Sequence, residues 1–132
     1  MKSLPTAHVA LILIMIFFAI TFLQSAADKV IDRDGNLSFF KDHFKGSLFK
    51  NRVSPLLSVL TLVEFVTGST AIAATVEIIV FRETDICFFA LVIAGINLLM
   101  LLLGQRLAKD YAGAATIGNY LILIVAGFLL LK

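Results

Sequence analysis

The stretch "FLQSAADKVIDRDGN", Phe22 to Asn36, decides how this chain is read. An apolar run ends there in small residues, and charge follows at once. Lys2, an apolar core and Ser25-Ala26-Ala27 imitate a secretory signal peptide with a small-x-small cleavage site. The apolar core of about 17 residues, however, exceeds the 7–15 of an ordinary signal peptide. The first segment is therefore expected to stay as a membrane helix, with Ser25-Ala26-Ala27 as its final turn.

Composition supports that reading. Of 132 residues, 60% are hydrophobic and only 15% charged, against roughly 45–50% and 25% for soluble domains. A water-soluble domain of this size has too little interior to hide so much apolar surface, whereas a bilayer accepts it. A net charge of +2 is too small to suggest nucleic acid as a partner. Cys87 is the single cysteine and His8 and His43 are the two histidines. The chain therefore has no disulfide framework, no CxxC pair and no thiolate metal cage, and no metal site is expected.

A spanning helix needs about 20 mostly apolar residues. Four segments qualify, at about 7–27, 54–80, 86–104 and 114–131. Ser54-Pro55 reads as a helix start, with a hydroxyl at the N-cap and proline in the first position. The expected fold is all-α, one four-span membrane bundle with an interfacial segment between helices 1 and 2. Four spans put both termini on one side. The side holding the 28–53 loop, here side A, carries Lys29, Arg33, Lys41, Lys45, Lys50, Arg52, Arg106 and Lys109. Lys2, Arg82 and Lys132 fall on side B. By the positive-inside rule side A is expected in the cytoplasm and the termini outside.

Within the loop, "DRDGN" fails the spacing of a calcium-binding loop, and a tight turn at Asp34-Gly35 is expected instead. The following "LSFFKDHFKGSLFK" places Phe40, Phe44 and Leu48 on one helical face among lysines. Such a segment suits a membrane interface, with rings in the acyl boundary and lysines at the headgroups. It suits equally a lid on the end of the bundle.

Ionisable and amide side chains within spans are costly and usually turn inward. Glu64 lies ten residues past Ser54, about 15 Å along a helix, and Asn97 reaches a similar depth from the other side, so the two are candidates to meet. A second group gathers toward side A: Gln24, Asp28, Lys29, Gln105, Arg106, Asp110, Asn119 and Tyr120. Matching depths would let these share one polar pocket, with Asp28 or Asp110 paired to Arg106 or Lys29. Glu64 could carry a proton or meet the polar head of a ligand, while Asn97 and Asn119 also suit inter-helix hydrogen bonding. Glu77, near the far end of its span, is expected to reach out toward the headgroups.

"FLQSAADKVIDRDGNLSFFKDHF" and, after the third span, "GQRLAKDYAGAA" together resemble the DoxX-like family of small bacterial four-helix membrane proteins. The resemblance runs from Phe22 into the fourth span. It implies a bacterial inner membrane and directs attention to Asp28, Lys29, Arg106 and Asp110. The founding members are membrane subunits of a thiosulfate:quinone oxidoreductase, and others partner redox-stress complexes. The expectation is therefore a non-catalytic membrane subunit of a larger complex, with a redox or quinone link and no cofactor of its own. The alternative is a small lipid- or quinone-binding protein, or carrier, using the intramembrane polar pocket. An enzyme acting alone would need a cofactor for which the sequence shows no ligand set.

Overall fold

The structure, a computed structural model, describes residues 3–131 of the chain. Among these residues it is all-α: α1 (Thr6–Ile31), α2 (Arg33–His43), α3 (Val53–Phe81), α4 (Asp85–Leu107) and α5 (Tyr111–Leu130). The helices α1, α3, α4 and α5 are each long and apolar enough to cross a membrane. They form an antiparallel ring in chain order: α1 packs on α3, α3 on α4, α4 on α5, and α5 returns to α1. Short α2 lies across the side A end against α1 and α3. Lys2 and Lys132, counted on side B from the sequence, lie outside the described residues.

The core follows from the 3.6-residue repeat. On α1, Leu11, Met15, Phe18 and Phe22 recur at three- and four-residue steps and are all buried. They meet Ala71, Ala74 and Ile78 of α3 and Cys87, Leu91, Ala94 and Leu98 of α4 in one cluster. Lipid tails are as apolar as leucine, so close packing rather than water exclusion must hold such helices together. Glycine supplies it at two crossings. A Cβ on Gly68 of α3 would sit 2.5 Å from Leu23 Cγ of α1, and one on Gly127 of α5 would sit 2.7 Å from Leu91 Cδ2 of α4.

The outer surface has the opposite character. Leu13 is 65% exposed, Leu62 64%, Phe65 58% and Ile122 66%. A ring of bare leucine, isoleucine and phenylalanine around four spanning-length helices is a surface for acyl chains. The protein is a multi-pass membrane protein, and α1 belongs to its packed bundle.

Element boundaries differ from the sequence expectation in three places. First, α1 runs one turn past Ala27 to Ile31, so Lys29 belongs to the helix. Second, α3 begins at Val53 with Arg52 at its cap and no side-chain capping bond from Ser54. Pro55 still falls within the first turn, where its missing N–H costs nothing. Third, Asp34 and Gly35 do not form a tight turn. They lie in the first turn of α2, because Asp32 turns its carboxylate onto the Gly35 N–H at 3.2 Å and caps a new helix.

Candidate functional site

Three polar assemblies emerge where the sequence suggested two. The first is buried between α1 and α3. Lys29 Nζ lies 3.1 Å from Glu64 Oε2 and donates to Ser25 Oγ at 2.6 Å. Ser25 Oγ in turn donates to Glu64 Oε1 at 3.0 Å. Helical side chains lean toward the N-terminus, so the Lys29 ammonium is carried back one turn to the level of Ser25, inside the bundle. The contact with Oε2 is close but poorly aligned as a hydrogen bond, leaving that oxygen held by charge alone. On its outer side the ammonium faces the Phe40 ring, 5.9 Å from the ring centre. Charge is neutralised locally, which is how a bilayer interior tolerates ionisable groups.

The second assembly is one turn deeper. Asn97 of α4 donates to Thr67 Oγ1 of α3 at 3.2 Å, and Thr67 donates to its own helix at Val63 O. Asn97 Oδ1 is buried without a partner. Glu64 of α3 and Asn97, packed against α3 from α4, therefore do not bond to each other. Glu64 is engaged by α1, and Asn97 by the residue three positions on.

The third sits at the side A rim. His43, the last residue of α2, places Nε2 3.0 Å from Gln105 Oε1 and 3.9 Å from Asp110 Oδ2. Asp110 also caps α5, accepting from the Gly113 N–H at 2.9 Å. Phe40, His43, Phe44 and Phe49 roof a cavity of about 120 Å³ whose walls include Val53, Leu57 and Leu60 of α3 and Leu101 and Gly104 of α4. Leu56 and Met100 line it too and are themselves exposed, so it opens sideways between α3 and α4.

The expected single pocket at side A thus divides. Lys29 pairs with Glu64, not with Asp28 or Asp110. Asp28 is exposed. Arg106 is exposed and stacks on the Tyr111 ring at 4.8 Å. Gln24 and Asn119 also face outward. Of that group, Gln105 and Asp110 join the His43 rim. Nothing adjacent in the sequence marks His43, because its partners lie 62 and 67 positions away; the local hint is its place in the Phe–Lys segment. That segment is a lid on the bundle end over part of its length: Phe40 and Phe44 pack inward, while Leu48 lies beyond the helix and is 85% exposed.

Glu77 also departs from expectation. It is buried and accepts from the Ile86 N–H at 2.8 Å and the Cys87 N–H at 3.4 Å. The first N–H groups of α4 lack helical partners, and a carboxylate from α3 meets them. Glu77, Glu83 and Asp85 bring carboxylate oxygens within 4.8 Å of one another. With Glu77 committed to the cap, this turn carries no metal assignment.

No family model, curated protein or solved structure matches this chain.

Proposed function

We propose that the chain is a non-catalytic membrane subunit of a larger complex, of the DoxX-like kind, in a bacterial inner membrane. The observation that carries this reading is the outer face of α5. Asn119 is exposed there, eight residues into a spanning helix, with Ala112, Ala115 and Thr116 also exposed at helical spacing on the same side. Acyl chains offer an amide no hydrogen bond. A second protein helix does, and small neighbours let it approach closely. Eight of the 11 basic residues lie on side A by this topology, which supports a cytoplasmic side A and external termini. The redox link rests on the sequence resemblance.

Purification in mild detergent tests the subunit reading. The wild type is expected to leave the membrane with a partner, and Asn119→Leu with Ala115→Leu to release it. A wild-type protein that runs only as a lone monomer rejects the proposal. A reporter fused to the C-terminus checks orientation, and a cytoplasmic signal reverses it.

The cavity beneath α2 favours a second reading, a small lipid- or quinone-binding protein or carrier. It has apolar walls and a few convergent polar groups, the usual make-up of a ligand site. In this reading His43 and Gln105 meet the ligand's head, while Glu64 remains engaged by Lys29 and Ser25. Quinone binding that is abolished by Glu64→Ala, yet untouched by filling the cavity, would restore the intramembrane polar pocket instead.

A further inference from the structure

The roof of the side A cavity is written in a repeated pattern. Phe40-Lys41, Phe44-Lys45 and Phe49-Lys50 each pair a ring lining the cavity with a lysine that is exposed, and Arg52-Val53 repeats the arrangement in reverse. Each dipeptide sends an apolar group inward and a cation outward. The outer face of the roof therefore carries four exposed bases over a span of 12 residues that contains one acid, Asp42, itself 3.2 Å from Lys45 Nζ. Below the roof the walls are almost wholly apolar, and Gly104 keeps the floor open beneath the Phe44 ring. At the side A rim His43 and Gln105 supply the polar side chains of the lining. The exposed Leu56 and Met100 mark a side entrance from the acyl layer.

We infer that this cavity is a binding site for an anionic phospholipid. One acyl chain enters between Leu56 and Met100, and its upper segment fills the space under Phe44. A volume of about 120 Å³ suits a segment of chain rather than a whole lipid; an engineered dry cavity of about 150 Å³ admits one benzene ring. The glycerol region meets His43 and Gln105. The phosphate lies among Lys45, Lys50 and Arg52, where cations attract anionic headgroups. The sign of the rim selects the occupant: a zwitterionic lipid brings its own cation into a cluster of bases, and a quinone head has no charge to meet them. The inference deepens the lipid-binding reading by naming its ligand, and it holds with or without a protein partner on α5.

Native mass spectrometry of the full chain in mild detergent, titrated with phosphatidylglycerol or phosphatidylcholine, provides the test. Phosphatidylglycerol is expected to bind about tenfold or more tightly than phosphatidylcholine, in keeping with a contribution from each base at the rim. The rim variant Lys45→Gln/Lys50→Gln/Arg52→Gln is expected to erase that preference. These three side chains are exposed, so the bundle keeps its core. Met100→Trp, which blocks the entrance from an exposed position, is expected to abolish binding of both lipids. Equal binding of the two lipids by the wild type overturns the inference, as does a preference that survives the triple variant. Retention of added ubiquinone in place of either phospholipid overturns it while leaving the lipid- or quinone-binding reading in place. Failure of all three ligands to bind rejects both.

Discussion

The ammonium of Lys29 and the carboxylate of Glu64 lie 3.1 Å apart between α1 and α3, with 8% and 2% of their side chains exposed. They are 35 positions apart in the chain, and their contact ties the first span to the second across the α2 excursion. Removing one partner leaves the other buried with its charge uncompensated. In well-studied proteins that costs about 3–5 kcal/mol, whereas replacing both partners with apolar residues of similar size is close to neutral. Glu64→Ala and Lys29→Met are each expected to lower the thermal unfolding midpoint in detergent sharply. Lys29→Met/Glu64→Leu is expected to recover most of the loss. A double-mutant cycle reads the coupling directly, and additive losses would show that the two groups do not act as a pair.

Glu77 caps α4 from outside that helix, through the N–H groups of Ile86 and Cys87. Glu77→Ala is expected to destabilise the protein by about 1–2 kcal/mol, as loss of a helix cap does. Glu77→Gln keeps an acceptor oxygen and is expected to lose less. Unfolding monitored by circular dichroism separates the two variants. An unchanged midpoint in Glu77→Ala would mean that water or lipid headgroups serve those N–H groups equally well.

Cys87 offers a probe of the same corner, because its side chain is fully buried. A water-soluble maleimide is expected to leave it unmodified in the native protein and to label it after unfolding. In Glu77→Ala the labelling rate is expected to rise about 5- to 30-fold, the change in open population that one or two kcal/mol produces. Rapid labelling of the wild type would place Cys87 at the surface and contradict its place in the common core.

Asn97 and Thr67 join α4 to α3 through one hydrogen bond of 3.2 Å. Such bonds within membrane bundles are worth about 0.6 kcal/mol on average. Asn97→Leu is expected to change stability by no more than about 1 kcal/mol, since it also removes the unpaired Oδ1. Thr67→Val should be the worse of the two, because it strands the Asn97 amide. Chemical unfolding of both single variants and of the double checks the order. The reverse order would assign the amide a ligand or water that is more important than Thr67.

Spans are legible in the sequence and side-chain pairings are not, for a physical reason. Each apolar run was visible because a spanning segment must satisfy the bilayer whatever its neighbours do. Ser25-Ala26-Ala27 lies inside α1, and the packing of Leu11, Met15, Phe18 and Phe22 shows why that segment is part of the fold. The inward turn of Glu64 and Asn97 was legible too, from the cost of exposing them to lipid. Their partners were not. Asn97 met Thr67, which the sequence had not singled out. Lys29 met Glu64 because α1 continued for one more turn and its side chain leaned back along the helix. Asp32, which looked like part of a turn, started a helix instead, because one carboxylate can cap N–H groups as readily as it closes a bend.

Hydropathy and length alone determined an all-α chain with four membrane-spanning helices and an aromatic, basic excursion at one end. These are properties of segments, summed over about 20 residues, and small errors in any one position average out. Only the tertiary structure decided which polar groups meet, that Glu77 caps a neighbouring helix and that Asn119 faces outward. Those outcomes depend on the rotation and axial offset of each helix against the next. A single residue changes them by about 100° and 1.5 Å, more than a hydrogen bond tolerates.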